Sequence, residues 1–513
     1  MTWNIDDPQG NEAAKCAWSI VRYTRGVVLD LGCGPTKAFP HFIGVDNCKD
    51  TDLFGVQMKP DVVIPDCADI SDSIQDESVD AVFSSHLLEH LVDPHSALAN
   101  WWKAIKVGGH LVLYLPDEDL YPRCGEHGAN PDHKHNLSRD KVIQWMSTIG
   151  GWDLLVNEQR NEGYEYSFLQ VYKKRNDGSM LYSYLEPRPS KTACVVRYGG
   201  FGDGIQASNI LPSLKAQGYH VTFMTTPSCQ DVILHDPNID EWFLQDKDQV
   251  PNGALPAFWD SQKKHYDKWI NLSESIEGTL LAMPGKANHG WPHEIRAKYL
   301  NRNYLEWTAE LAGVPYTQDA KFYPTPEEVQ KARTYLNNGQ QFNIMWVLAG
   351  SSIHKFTPWQ DQVIARIMLE MPEARLILSG DAGCKMLEQG WEAEPRIRCE
   401  SGNMGIRDTL ALAQQVDCVV GAETGVLNAV AFKNVGKVVM LSHSSKENLS
   451  RDWYNTETLE PENTSCYPCH QLHFSSQHCP VSEETGTAIC QANISPERIY
   501  NAIFRHYLNW KLK

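Results

Sequence analysis

Along the chain, short apolar runs alternate with longer segments whose apolar residues recur at helical spacing. The first set of runs occupies residues 27–31, 41–45, 62–64, 81–84 and 111–115. Runs of this length, bounded by glycine, proline or acidic residues, predict strands, and the helical segments between them predict βαβ crossovers in a mostly parallel sheet. A polar, proline-bearing stretch over 176–189 breaks the rhythm and reads as a linker. The rhythm resumes at 193–197, 220–225 and 268–272, and again at 343–349, 375–379, 418–421 and 437–441. Pro324-Thr325-Pro326-Glu327-Glu328 separates these two sets and predicts a capped helix start. An amphipathic helix over 496–510 closes the chain. The expected organisation is therefore a first domain over 1–175, a linker over 176–192, and two α/β lobes over 193–340 and 341–513. Tandem lobes of this kind leave a cleft, where ligands usually bind.

Composition changes the picture in three ways. At 513 residues the chain exceeds a single core, and 42% hydrophobic against 21% charged residues excludes a disordered protein. No stretch is apolar enough for a transmembrane helix. The acidic start, Met1-Thr2-Trp3-Asn4-Ile5-Asp6-Asp7, lacks the basic and apolar regions of a secretory signal, so a cytoplasmic protein is expected. The net charge of -18 argues against duplex nucleic acid as the default partner, because phosphate neutralisation requires a basic surface.

The chemistry begins with Val27-Val28-Leu29-Asp30-Leu31-Gly32-Cys33-Gly34, a strand ending in a glycine loop that lets backbone approach a ligand. With Ile43-Gly44-Val45-Asp46, Asp66, the segment 80–91 and Leu115-Pro116-Asp117, it resembles the class I S-adenosylmethionine (SAM) methyltransferases over roughly residues 20–172. That resemblance implies a Rossmann-like fold with SAM as cofactor. Gly32 and Gly34 would lie by its methionine portion and Asp30 near its amino group. Asp46 would accept from the ribose and Asp66 would lie near adenine. Only a very short helix fits between Gly34 and Asp46. His133 and His135, after the fifth strand, are candidate bases for an alcohol acceptor, their near-neutral pKa suiting proton transfer; alternatively they hold a loop.

A second glycine-rich turn, Tyr198-Gly199-Gly200-Phe201-Gly202-Asp203-Gly204, lacks dinucleotide spacing. With Leu211-Pro212 downstream it is similar to the opening of the heptosyltransferases, glycosyltransferases of family 9 with the GT-B fold of two Rossmann-like lobes. The resemblance makes Asp203 the general base on the acceptor hydroxyl; the alternative role is a helix N-cap. Glu423-Thr424-Gly425-x-x-Asn428 resembles the family's donor-binding segment, with Glu423 and Asn428 standing where the family has Asp and His. Thr424, Gly425 and Asn428 would meet the diphosphate of a nucleotide-sugar donor. Ser351, Ser352 and Lys355 resemble the loop that places a lysine on the donor phosphates. Asp381 substitutes for a ribose-binding acid whose position holds Cys384. Trp291 is a candidate for stacking on a sugar, and His293 and Arg296 for holding an anionic acceptor.

Near the C-terminus Cys466, Cys469, Cys479 and Cys490 form C-x2-C-x9-C-x10-C. Four thiolates close a structural zinc site; free thiols or disulfides are the other readings. The function expected from the whole is a bifunctional one: inverting sugar transfer from a nucleotide-diphosphate donor to a glycan hydroxyl, together with SAM-dependent methylation. The alternatives are glycosylation of modified nucleic acid and a non-catalytic protein keeping both folds.

Overall fold

The computed structural model describes residues 11–48, 52–53, 56–336, 340–352, 354–473 and 479–512, so the acidic start falls outside them. The chain divides into two compact units, Met1–Ser190 with Leu244–His265, and Lys191–Phe243 with Tyr266–Lys513. Among the described residues no helix is long and apolar enough to cross a membrane.

The first unit is built on β1 (Val28–Leu31), β2 (Ile43–Asp46), β3 (Val62–Val63), β4 (Val79–Ser85), β5 (Ile105–Pro116), β6 (Trp152–Arg160), β7 (Ser167–Lys174) and β8 (Met180–Leu181). They make one sheet in the order β8-β6-β7-β5-β4-β1-β2-β3. The pairings from β3 through β5 are parallel, and β7 runs antiparallel to both β5 and β6. β1 is buried at every position, as a central strand covered on both faces must be. Helix Pro94–Ala104 starts on Asp93, whose carboxylate accepts from Ser96 N–H at 3.0 Å, with proline in the first turn. It buries Trp101 and Leu98 against the sheet; each side chain of that size contributes roughly 1.5–3 kcal/mol on burial. β8 lies within the stretch read as a linker, so part of that stretch belongs to the first unit's sheet. The returning segment Leu244–His265 is fastened to the amino-terminal helix of the same unit. Gln249 Nε2 donates to the carbonyls of Val21 and Thr24, at 2.7 and 2.9 Å, and Asp246 pairs with Arg25 at 2.9 Å.

The second unit has two sheets. β9 (Thr192–Val196), β10 (His220–Thr225), β11 (Glu241–Leu244) and β12 (Lys268–Asn271) are ordered β11-β10-β9-β12. β13 (Phe342–Val347), β14 (Ala374–Ser379), β15 (Ile397–Cys399), β16 (Cys418–Ala422), β17 (Gly436–Met440) and β18 (Thr456–Leu459) are ordered β15-β14-β13-β16-β17-β18, all parallel. The helix Pro326–Leu336 enters the second lobe through a capping box: Thr325 N–H donates to Glu328, and Glu328 N–H donates to the Thr325 hydroxyl. Helix Pro496–Lys511 buries Ile499, Ala502 and Ile503 on the second sheet's core. The fold is α/β throughout: a Rossmann-like domain, then two Rossmann-like lobes.

Candidate functional site

In the first unit, the penultimate residue of β1 is Asp30, whose buried carboxylate accepts from Ala38 N–H at 2.8 Å. Burial pushes that carboxyl up to about 7, and among the described residues it forms no ion pair. Gly32 and Gly34 take positive φ angles, 69° and 56°, which a side chain would strain. A Cβ on Gly34 would meet nothing within 4 Å, so this turn opens onto space. Gly34 N–H donates to Asp46 at 3.0 Å, which ties the ends of β1 and β2 together. Asp66 is exposed, and its carboxylate accepts from Ala68 N–H at 2.9 Å. No helix forms between β1 and β2. Pro35 and Pro40 leave too few consecutive donors for one, and Lys37 pins the loop to the Phe42 carbonyl and Asp61. The residues fit SAM in kind: a cradle beside Gly34, a buried acid with no direct ion pair among the described residues, and a second acid at the end of β2.

His133 and His135 part company in the structure. His135 Nε2 is hydrogen-bonded to the Leu91 carbonyl at 3.0 Å. His133 turns toward Glu89, its Nε2 lying 3.8 Å from Oε1. Burial lowers His133 to about 4, which keeps it neutral at ordinary pH.

In the second unit, β9 ends on buried Arg197, which lies between two carboxylates: Glu277 at 2.7 Å and Asp203 at 3.1 Å. Asp203 Oδ2 also accepts from Gly200 N–H at 2.7 Å, closing the turn before helix Phe201–Ala207. The cap and the charged cluster therefore coexist. Burial, with Glu277 alongside, pushes Asp203 up to about 7, whereas the closer guanidinium holds Glu277 below its usual value. The Asp203 side chain keeps 24% exposure, enough for a partner to reach it.

The two glycine motifs of this unit meet. A Cβ on Gly202 would lie 2.9 Å from the Gly425 Cα, and one on Gly425 would lie 2.3 Å from Phe201 Cε2. Only glycine fits on either side of so close a backbone crossing. Next to it the Thr424 hydroxyl is buried without a hydrogen-bond partner, at the start of helix Gly425–Val430. Asn428 lies at the same crossing, its Nδ2 3.2 Å from where a Cβ on Gly202 would sit. Glu423 is structural: its Oε1 accepts from Ser442 and His443 N–H groups at 2.9 and 3.0 Å, holding the loop after β17. Ser352 is buried with an unpartnered hydroxyl, whereas Ser351 is exposed. Lys355 has no ion-pair partner among the described residues, and its charge helps hold His443 neutral. Asp381 is exposed and caps the turn over Ala382–Leu387 by accepting from Cys384 N–H.

All four cysteines line one cavity of about 270 Å³, with His354, His443 and His473 on the same wall. Burial raises every one of these thiols, Cys469 to about 12. The donor set suits zinc in kind, but no three of the sulfurs come within 4.8 Å of one another. His293 and Arg296 hydrogen-bond the carbonyls of Pro468 and Cys469, at 3.1 and 2.8 Å, and so hold this loop. Trp291 is partly exposed.

Residues 29–113 match the family described as a methyltransferase domain. No curated protein matches the chain. Among solved structures, ADP-heptose lipopolysaccharide heptosyltransferase II of E. coli is 13% identical, covering 62% of this chain and 99% of its own, with a TM-score of 0.45. A glycosyl transferase family 9 protein of Veillonella parvula is 15% identical, covering 63% and 99%, with a TM-score of 0.46. A SAM-dependent methyltransferase of Archaeoglobus fulgidus is 19% identical, covering 32% and 94%, with a TM-score of 0.24. The chain thus carries a stretch that matches a methyltransferase domain, followed by two parallel α/β lobes.

Sequence reasoning gave no role to Arg197, Glu277, Glu89 or His90. Arg197 carries a faint signal, a charge ending an apolar strand. Glu277 carries none, since a loop brings it to Arg197 from 80 residues on.

Proposed function

We propose that the second unit transfers a sugar, with inversion, from a nucleotide-diphosphate donor to a hydroxyl of a glycan, and that the first unit methylates the same or a related acceptor. The observation that carries the reading is the crossing of Gly202 and Gly425, which puts the Asp203 turn beside the unpartnered hydroxyl of Thr424. Asp203 would take the acceptor proton, and a carboxyl near neutrality is matched to that task. Thr424 and the Gly425 backbone would hold the leaving diphosphate, with Lys355, Ser351 and Ser352 offsetting its charge. Asp381 would reach the donor ribose. Asn428, at the same crossing, would donate its amide to that diphosphate.

SAM supplies an electrophilic methyl group when bound. Asp30 would pair with its ammonium, Gly32 and Gly34 would pass its methionine portion, Asp46 would hold the ribose and Asp66 would lie near adenine. With His135 engaged by backbone, His133 is the histidine that would meet the methyl acceptor. The four cysteines would close on a structural metal.

The test is thermal stabilisation by S-adenosylhomocysteine and by a panel of nucleoside diphosphates. A ligand at a hundred times its Kd adds about 2.7 kcal/mol to the state that binds it. Stabilisation by both classes is expected. Silence with both at millimolar ligand overturns the bifunctional reading in favour of a non-catalytic protein.

A further inference from the structure

Glu89 has a place the methyl-donor loop does not explain. It is fully buried in the short turn Leu88–His90 after β4, and both carboxylate oxygens lack a hydrogen-bond partner. What surrounds them is imidazole. His90 Nε2 lies 3.9 Å, His133 Nε2 3.8 Å and His86 Nδ1 3.6 Å from the same Oε1. These spacings are too long for hydrogen bonds. An ionised carboxylate there lacks donors, and a protonated one lacks an acceptor. Either state leaves a buried polar group unsatisfied, at a cost of about 1–3 kcal/mol or more.

A cation resolves the difficulty. Ligand atoms about 2.0–2.2 Å from one ion stand on the order of 3–3.5 Å apart, so each carboxylate–imidazole spacing has only a few tenths of an ångström to close. One ligand atom each from Glu89, His90 and His133 already gathers within 4.8 Å. The outer contacts are those ligating histidines use: His90 also hydrogen-bonds the Asp132 backbone, and His86 Nε2 lies 2.9 Å from the Ser167 hydroxyl. The chain is tied at this spot, with Lys134 and His135 N–H groups donating to the Glu89 carbonyl. Leu87, two residues before Glu89, packs on Gly32 of the methyl-donor loop.

We infer that Glu89, His90 and His133, flanked by His86, form a binding site for a borderline divalent cation such as zinc, iron(II) or manganese. Two imidazoles and one carboxylate favour that class over magnesium or calcium, and three protein ligands leave coordination positions open. An ion so held lowers the pKa of a bound water or hydroxyl, which is the deprotonation an alcohol acceptor of a methyl group needs. His133 then acts as a ligand and not as a base. The inference deepens the methyl-transfer half of the proposed function but stands on its own geometry.

Cobalt(II) titration of the chelator-stripped full-length protein tests it, because thiolate and imidazole–carboxylate sites give different spectra. Thiolate ligation at the cysteines adds a sulfur-to-metal charge-transfer band; the site at Glu89 gives ligand-field bands alone. One equivalent of the second kind is expected. Glu89→Gln and His133→Asn should each weaken it by about 100-fold or more, with circular dichroism unchanged, while His135→Asn retains it. The inference is overturned if folded wild-type protein shows no such binding at millimolar cobalt or zinc, or if the two ligand variants bind as wild type does. S-adenosylhomocysteine binding, measured on the same samples, reports separately on the methyl-donor loop.

Discussion

Arg197 is one guanidinium serving two carboxylates, and that inequality sets the chemistry of Asp203. Glu277, the closer partner at 2.7 Å, stays ionised, and Asp203 is left near neutrality at about 7. A base must be unprotonated to act, so sugar transfer is expected to rise with pH through about 7 and then level off. Asp203→Asn should lower kcat by about 100-fold or more and remove that rise. Stability runs the opposite way. A carboxyl whose folded pKa lies above its unfolded value binds its proton more tightly in the folded state. Its stabilising contribution is full below the unfolded value, near 4, and is lost as pH climbs through about 7. Asp203→Asn is therefore expected to leave the Tm at pH 8 unchanged or raised, a combination that a merely structural aspartate would not give.

At the scale of elements, helices Phe201–Ala207 and Gly425–Val430 pack through bare backbone. Gly425→Ala would place a methyl 2.3 Å from Phe201 Cε2 and 3.0 Å from the Gly202 Cα. The backbone on one side cannot yield as a flexible side chain would. A loss of about 1–3 kcal/mol is expected by urea denaturation, with weakened nucleoside diphosphate binding, since the Thr424 hydroxyl moves with the helix start. Strands and helices of this kind are readable in sequence because their signal is local. The strands of the second unit that the apolar runs predict all form, within one or two residues at each end. The strands at Glu241–Leu244, Ile397–Cys399 and Thr456–Leu459 were not expected. They are short, and polar residues interrupt them. The loop between β1 and β2 differs for another reason: two prolines outweigh the family pattern of a helix there.

The whole molecule is less modular than its linear order. Residues 244–265 leave the second unit's stretch of chain and join the first, where Gln249 bridges the carbonyls of Val21 and Thr24. Gln249→Ala removes the donor to the buried Thr24 carbonyl and leaves the Val21 carbonyl only the bond from Thr24 N–H, at a cost of about 1–3 kcal/mol. Hydrogen exchange should accelerate over Glu12–Ile20 and Val21–Tyr23, with the core of the second unit unchanged. Equal acceleration in both units would mean that the segment does not belong to the first.

Periodicity, glycine loops and strand-end acids made both folds and most of the candidate positions legible, because each of those signals lies within one short run of chain. Asp30, Gly32, Gly34 and Asp46 form one such group, as do Thr424 and Gly425. Distance along the chain hid the remainder. Glu277 reaches Arg197, Gly425 reaches Gly202, and His133 reaches Glu89 only after the sheets have formed, and no local pattern records those meetings. The same is true of charge state: the residues beside Asp203 and His133 in sequence do not set their pKa values, which follow from burial and from groups brought in from elsewhere. Amino-acid order decides which elements form and which chemical groups they carry, since those are short-range matters of shape and hydrophobicity. Which of those groups face one another, and in what protonation state, is decided by packing.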